Sequence, residues 1–390
     1  MKRNIISRLN DVQSRSDARG KKLLKEQVRV YDVCFAEFLK PELNGQKEVQ
    51  SILLREAFRY FNEHDIVIQK DSPTVVLDVS CGPGDYSTLW TTQASQFFPQ
   101  GMAFHCADFK GGKCQNGLSY PTATVNAIKA AALRGDVKLS GEPMGVEADL
   151  FSGKEAIISA GKLARIVHWS HSGYYVYSAL GGRNNNPESI ARGVRTAMDK
   201  IWDSFDQMGL MFSFHETGDV SDGIPSEKLP IAERYASLLS DVPQRISQSV
   251  SEKGGYSSII HFVTPLGFPE MTDAQWGMLS DPAQWEYLDA DQSRVLRLLA
   301  FMVHDFLENQ SNLEKLHQDG RLASLVHDYK AVVRKNGGYI NVKCAFQLVC
   351  KSEKIGRALA AIAAALSGNI SRYLDEMNKK ISKPFDCNGS

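Results

Sequence analysis

The sequence predicts an α/β fold around a mostly parallel β-sheet, and three observations support this. Residues 75–79 form a continuous apolar run, which is typical of a parallel strand buried on both faces. A Gly-Pro-Gly turn at residues 82–84 follows at once, and apolar positions then recur at helical spacing to about Phe98. Strand-length and helix-length patterns continue to alternate further along the chain. We therefore expect this first strand, turn and helix to begin a repeating strand–helix sheet.

The turn that follows the first strand, residues 80–84, has the composition of a ligand-binding loop. Its glycines let the backbone approach a ligand closely, and the N–H groups of the next helix point towards that ligand. The chain has no phosphate-binding G-x-x-x-x-G-K-[ST], and Ser87 occupies the place of the third glycine of the dinucleotide fingerprint. The alternative is an ordinary strand-to-helix turn without a ligand.

The same segment resembles the acidic-x-x-x-G-x-G signature of class I S-adenosylmethionine (SAM) methyltransferases, with Asp78, Gly82 and Gly84 at the matching positions. The resemblance implies a Rossmann-like, seven-stranded, mostly parallel sheet with one antiparallel edge strand. It also implies that SAM is the cofactor and S-adenosylhomocysteine (SAH) the product. Residues that would bind the donor are Asp78, Ser80, Gly82, Pro83, Gly84, Asp108, Asp149, Leu150 and Ser170.

The N-terminal part of the chain contains a basic segment and two predicted helices. Residues 1–22 are rich in Lys and Arg, and we expect a solvated arm, with a site for an anionic partner as the alternative. Helical spacing then places Tyr31, Phe35 and Phe38 on one face of a helix. That face either packs in a core or forms a lid over a ligand pocket. A second helix, over about residues 47–62, leads into the sheet.

The second and third strands end in acidic residues. The run 102–107 is followed by Asp108, and a carboxylate supplies the two acceptors that a ribose diol requires. After a helix over 123–133, the segment 147–151 resembles the acidic and apolar turn that holds adenine in these enzymes. Asp149 would accept a hydrogen bond from the adenine amino group, while Leu150 or Phe151 would cover the ring.

The fourth strand, residues 164–169, is followed by a polar and aromatic segment that should overlook the methyl donor, because ligands bind beyond the carboxyl ends of such strands. His168, inside this strand, is expected to be structural. The remaining elements are a helix over 187–208, a strand over 210–215, a polar surface insertion over 217–255 with helical spacing only around 231–239, a strand over 256–263, helices within 276–316, an antiparallel last strand over 339–350 and an amphipathic helix over 355–377.

A narrower resemblance concerns the segment after the fourth strand. Residues 166–176, the aromatic pattern of the lid and the stretch 304–307 are similar to the histamine N-methyltransferase family. This implies an amine nitrogen as methyl acceptor, contact of Ser170 with the donor, and His171 as a general base or an orienting group. The amine-binding glutamate of the family has no match, since its position falls near Asn44. The implied substrate pocket comprises Tyr31, Phe35, Phe38, His171, Tyr174, Tyr175 and Phe306.

Composition restricts the partners. The 390 residues include 45 Lys and Arg against 45 Asp and Glu, and a net charge of zero argues against binding nucleic acid by phosphate neutralisation. The seven cysteines form no C-x-x-C pair and no zinc spacing, so we expect reduced thiols and no metal. No membrane span or signal-peptide core is evident, and we expect a cytoplasmic protein.

The predicted organisation has three parts. Residues 1–63 would form the arm and helical lid, residues 64–352 the methyltransferase domain, and residues 353–390 a C-terminal helical extension that packs on the domain or joins two copies in a homodimer. The leading functional hypothesis is a SAM-dependent methyltransferase with a small-molecule acceptor. The alternatives are a methyltransferase acting on a protein or RNA, and a non-catalytic SAM-binding module.

Overall fold

The computed structural model describes residues 46–66, 68–114, 116–151, 155–159, 161–170, 187–221, 242–302 and 317–381. The contacts among them divide into two compact units. The larger unit takes the described residues within Gln46–Gly218, Ser237–Val263 and Lys343–Ser390, and the smaller unit takes mainly those within Thr264–Val342.

The sheet has seven strands in the order β3-β2-β1-β4-β5-β7-β6. This is the Rossmann order 3-2-1-4-5-6 with the last strand placed between β5 and β6. The pairs β1–β2, β1–β4, β2–β3 and β4–β5 are parallel, and the mixed, mostly parallel sheet confirms the predicted fold. The strands are β1 Thr74–Val79, β2 Met102–Asp108, β3 Met144–Glu147, β4 Ala164–Ser170, β5 Phe205–Ser221, β6 Tyr256–Gly267 and β7 Tyr339–Cys350.

Helices connect the strands, as the alternating pattern predicts. In the larger unit they are α1 Gln46–Glu63, α2 Asp85–Ser95, α3 Tyr120–Leu133, α4 Pro187–Ser204, α5 Val242–Glu252 and α9 Glu353–Ile381. In the smaller unit they are α6 Asp273–Leu279, a 3₁₀ helix Pro282–Tyr287, α7 Ala290–Met302 and α8 Arg321–Lys335. Across the described part of the chain, none of these helices combines the length and the apolar character needed to traverse a lipid bilayer.

The core of the larger unit lies between α1 and the centre of the sheet. Phe58 of α1 contacts Phe212 of β5 with ring centroids 5.1 Å apart, and Phe212 stacks on Phe346 of β7 at 6.0 Å. All three rings are fully buried. Burial of each large aromatic ring contributes about 1.5–3 kcal/mol, so this cluster fixes α1 on the sheet.

The start of β5 differs from the prediction. The helix expected to reach residue 208 ends at Ser204, and β5 begins at Phe205. Ala164 pairs with Phe205 and Ile166 with Leu210, so β5 advances five residues while β4 advances two. The intervening segment is tightly folded, because a Cβ on Gly209 would lie 2.6 Å from the Phe205 ring. In the sequence, Ile201, Phe205 and Met208 recur at the i, i+4, i+7 spacing of a helix, which explains the error.

The predicted polar insertion also contains regular structure. Strand β5 continues to Ser221, and α5 forms over Val242–Glu252. The helix buries Ile246 and Val250 four residues apart. The predicted helical spacing around 231–239 lies outside the described residues. The sequence analysis missed α5, because a helix of 11 residues supplies few apolar positions from which to recognise the period.

The terminal helix α9 spans Glu353–Ile381, as its apolar period predicts. It packs against α1. A Cβ on Gly356 would lie 2.3 Å from the Tyr256 ring, so this glycine permits close contact between α9 and β6. The apolar stripe of α9 is buried in the chain; its buried residues are Ile355, Leu359, Ile362, Leu366 and Ile370.

The smaller unit contains short helices with well-defined ends. Thr272 caps α6 and forms a capping box with Gln275, which satisfies two otherwise unpaired N–H groups. The indole of Trp285 donates to the Leu279 carbonyl at 2.9 Å and is fully buried. These contacts hold α6 against the following 3₁₀ helix.

Candidate functional site

The glycine turn, residues 80–84, leaves β1 in an unusual conformation. Ser80, Gly82 and Gly84 have φ angles of 57°, 56° and 98°, so alternate residues are left-handed. Glycine adopts this region at no steric cost, whereas for a serine it is uncommon and unfavourable. A strained residue held at the carboxyl end of a central strand is typical of functional sites.

The two glycines of the turn have different surroundings. A Cβ on Gly84 would lie 2.9 Å from the Thr124 Cα and 3.1 Å from the Ala127 Cβ, so Gly84 allows α3 to pack on the turn. A Cβ on Gly82 would meet nothing within 4 Å. The Thr124 hydroxyl donates to the Gly82 carbonyl at 2.9 Å and holds the turn in place. The space beside Gly82 is therefore kept open by a rigid support.

Asp108 lies at the end of β2, directly against this turn. Its Oδ2 accepts a hydrogen bond from the Gly82 N–H and its Oδ1 accepts one from the Phe109 N–H, each at 2.7 Å. Burial raises the pKa of this carboxyl to about 7, against the lowering effect of the two N–H donors; the nearby Asp78 adds to the rise. Each carboxylate oxygen has a second lone pair for a ligand.

Asp78 is placed beneath the turn. Its Oδ1 lies 2.8 Å from the His168 Nδ1, and its Oδ2 accepts from the Trp90 indole at 3.1 Å. The residue is only 2% exposed. These partners give Asp78 a supporting position, in which it fixes the end of β1 relative to β4 and α2.

A hydrogen-bonded relay continues from Asp78 across β4. The Gln50 Nε2 lies 3.2 Å from the His168 Nε2 and donates to the Ser170 Oγ at 3.1 Å. All four side chains are buried. We call Asp78, His168, Gln50 and Ser170 the buried relay. The sequence interpretation missed Gln50; the available signal was a glutamine on the apolar face of α1.

The segment after β3 lies next to Asp108 in the sheet. The Ala148 N–H donates to the Asp108 carbonyl at 2.8 Å, and the Phe151 N–H donates to the Asp149 Oδ1 at 2.9 Å. Lys200 donates to the Asp149 carbonyl. Leu150 and Phe151 are both buried. The structure thus brings the predicted adenine segment beside the predicted ribose carboxylate.

The structure brings the predicted donor residues to one edge of the sheet, at the carboxyl ends of β1, β2, β3 and β4. The predicted lid and substrate pocket lie outside the described residues; they are Tyr31, Phe35, Phe38, His171, Tyr174, Tyr175 and Phe306. Within the described ranges, no group of three or more His, Cys, Asp or Glu side chains could hold a metal ion.

Comparison with known proteins gives matches in structure alone. No family model matches the chain, and neither does any curated protein sequence. A loganic acid methyltransferase with SAH matches at 10% identity and a TM-score of 0.44, over 83% of this chain and 96% of that chain. A SAM-dependent methyltransferase from Geobacter sulfurreducens in complex with SAH matches at 12% identity and 0.36, over 75% and 90%.

A third match is an O-methyltransferase from neocarzinostatin biosynthesis, in complex with SAH and 1,4-dihydroxy-2-naphthoic acid. It has 11% identity and a TM-score of 0.29, and the alignment covers 47% of this chain and 44% of that enzyme, less than half of its length. The strand order β3-β2-β1-β4-β5-β7-β6 is that of a Rossmann-like sheet. These identities and scores are low, and the matches show a similarity of fold alone.

Proposed function

We propose that this protein is a SAM-dependent methyltransferase that acts on a small molecule, with an amine nitrogen as the favoured acceptor. One observation carries the proposal. The open space beside Gly82 adjoins a buried carboxylate, Asp108, at the carboxyl ends of two adjacent parallel strands. In open α/β sheets this edge is where ligands bind.

The residues present fit the donor. Gly82 leaves room for a ligand against the backbone, and a side chain at this position would fill that room. Asp108 would accept the ribose hydroxyls, and Asp149 would accept from the adenine amino group. Ser170, on the opposite side of β1, would contact the methionyl end. The strand order β3-β2-β1-β4 supports a donor that extends from its adenine at β3 to its methionyl end at β4.

Bound SAM would supply a methyl group already activated by the sulfonium. The chain would contribute proximity and orientation, and would exclude water from the reacting atoms. His171 would take a proton from an acceptor that arrives protonated, or would orient it through a hydrogen bond. Aromatic walls would suit a neutral or cationic small molecule, because ring faces attract cations. The residues that would form them are Tyr31, Phe35, Phe38, Tyr174, Tyr175 and Phe306.

The histamine N-methyltransferase-like resemblance favours an amine. Two other hypotheses compete with this proposal: methylation of a protein or RNA through the basic N-terminal arm, and a binding module without catalysis. The presence of Asp78, Gly82, Gly84 and Asp108 argues against the binding module without catalysis.

The direct test is calorimetric titration of the full chain with SAM and with SAH. We expect saturable binding of both, with one site per chain. Absence of binding for both ligands would overturn the proposal.

Two variants separate the acceptor classes. For a small-molecule enzyme, His171→Ala should lower turnover and leave SAH affinity nearly unchanged, while deletion of residues 1–22 should have little effect. Activity that survives in His171→Ala and disappears on deletion of the arm would indicate a macromolecular substrate.

A further inference from the structure

The buried relay ends on the side chain that faces the proposed donor from β4. Asp78 and His168 occupy paired positions on β1 and β4, and Gln50 reaches them from α1. Gln50 is fully buried and His168 is 1% exposed. Buried polar networks of this kind hold their members in single orientations, because each alternative orientation leaves a donor or acceptor unpaired.

The partners determine the direction of each hydrogen bond. The Gln50 Nε2 is only a donor, so the His168 Nε2 facing it must be the unprotonated acceptor. The ring hydrogen then lies on Nδ1 and is donated to Asp78. The Gln50 Nε2 also donates to the Ser170 Oγ. The Ser170 hydroxyl therefore receives a hydrogen bond from Gln50 and must direct its own hydrogen elsewhere.

We propose that Gln50 is a positioning residue that holds Ser170 as a hydrogen-bond donor to the carboxylate of the donor's methionyl group. This rests on the proposed function. If the adenosyl part lies towards β2 and β3, the methionyl end extends towards β4 and Ser170. The carboxylate oxygens are strong hydrogen-bond acceptors at that end, whereas its ammonium group only donates. A hydroxyl whose hydrogen is directed outward thus matches the carboxylate.

The test compares two ligands, of which only one carries the methionyl carboxylate. SAH carries the carboxylate, whereas 5′-methylthioadenosine keeps the adenosyl part and lacks the amino-acid end. In calorimetry on the full chain, Ser170→Ala and Gln50→Met should each lower the affinity for SAH by about tenfold. This is the effect expected for the loss of a hydrogen bond to a charged group. Affinity for 5′-methylthioadenosine should change less than about twofold. The double variant should lose no more than Ser170→Ala, because the two residues act in sequence.

The chain offers a matched control on the same helix. Gln46 lies one turn before Gln50 and is also buried, but its amide is 3.6 Å from the Cys344 sulfur and outside the relay. Gln46→Met should keep the ratio of the two affinities, even where it lowers the melting temperature as much as Gln50→Met does. If Gln50 had only a structural role, Gln50→Met would lower the affinities for both ligands by the same factor.

A second variant covers the case in which Gln50→Met does not fold. Gln50→Glu keeps the size of the side chain but offers only acceptors when ionised, so it would draw the Ser170 hydrogen away from the ligand. It should lower SAH affinity at least as much as Ser170→Ala. Binding of both ligands to the parent protein, with an unchanged affinity ratio in Ser170→Ala and in whichever Gln50 variants fold, would overturn this inference alone. Failure of the parent protein to bind either ligand would overturn the proposed function.

Discussion

At the scale of single residues, the site depends on a carboxylate whose ionisation is finely balanced. Asp108 is buried, which disfavours its charge, and it accepts two backbone hydrogen bonds that favour the charge. Burial is the larger effect, and the pKa is raised to about 7. A change of pH near neutrality therefore changes the charge of the group that would hold the ribose.

We expect SAH affinity to depend on pH through Asp108. The ionised carboxylate is the better acceptor for the ribose hydroxyls, so affinity should fall by about tenfold between about pH 8 and about pH 6 as the carboxyl takes up a proton. Calorimetry across this range measures how SAH affinity changes with pH. Asp108→Asn should weaken binding by about 1.5–3 kcal/mol at about pH 8 and abolish this pH dependence. An unchanged affinity in this variant would place the ribose elsewhere.

The same titration affects folding in the opposite sense. Because the pKa of Asp108 is raised in the folded state, the native protein binds more protons than the unfolded chain between the ordinary carboxyl pKa and about 7. The contribution of this group to the free energy of unfolding should therefore decrease as the pH rises through that window. Urea titrations without ligand measure this effect. Over that pH window, the free energy of unfolding should decrease more in the parent protein than in Asp108→Asn.

The two glycines of the turn should respond differently to the same substitution. Gly82→Ala meets no atoms and should cost about 1–2 kcal/mol of stability for its left-handed backbone, but its methyl group should abolish SAH binding. Gly84→Ala places a methyl group against the Thr124 backbone and should cost about 2–4 kcal/mol. Urea denaturation and calorimetry check both. Normal SAH binding to Gly82→Ala would show that the ligand does not occupy this space.

At the scale of elements, the terminal helix α9 belongs to the packed core of the larger unit. Ile362 lies in the apolar stripe of α9 and is fully buried, and the helix packs against α1. The helix is thus a stabilising element of the larger unit, and not only an appended segment.

Ile362→Ala should lower the free energy of unfolding by about 2–5 kcal/mol, because it removes buried methyl groups and leaves a cavity. Ala364→Ser, at an exposed position on the same helix, is the control and should change stability by about 0.5 kcal/mol or less. Chemical denaturation monitored by circular dichroism measures both. Equal stabilities in the two variants would mean that α9 does not stabilise the unit.

At the scale of the whole molecule, the chain is neutral overall and its described cysteines are free thiols. Burial raises the pKa of the Cys81 and Cys350 thiols, which keeps them protonated and unreactive. We expect thiol counting on the denatured, unreduced protein to find all seven cysteines free. A count of one or none would indicate that the fold uses disulfides.

The sequence alone predicted most of the strands and helices, and it indicated which strand ends carry the residues of the proposed donor site. Strand β1, the glycine turn and Asp108 follow from a buried apolar run, a local backbone requirement and a carboxylate at a strand end, and each signal lies within a few neighbouring residues. The mostly parallel sheet follows from the same alternation, repeated along the chain, and the expectation of seven strands comes from the family resemblance. Local patterns carry this information because strand and helix periods are properties of adjacent residues.

Tertiary structure alone decided how side chains distant in the sequence share the site. Gln50 and Ser170 are 120 positions apart, and no spacing rule connects them. The same holds for the partners of Asp78, because its carboxylate meets His168 of β4 and the Trp90 indole of α2 only after folding. The bulge of β5 is likewise set by its pairing with β4. Each of these features depends on which surfaces meet after folding, and that is decided by packing across the sheet and not by the pattern of any single segment.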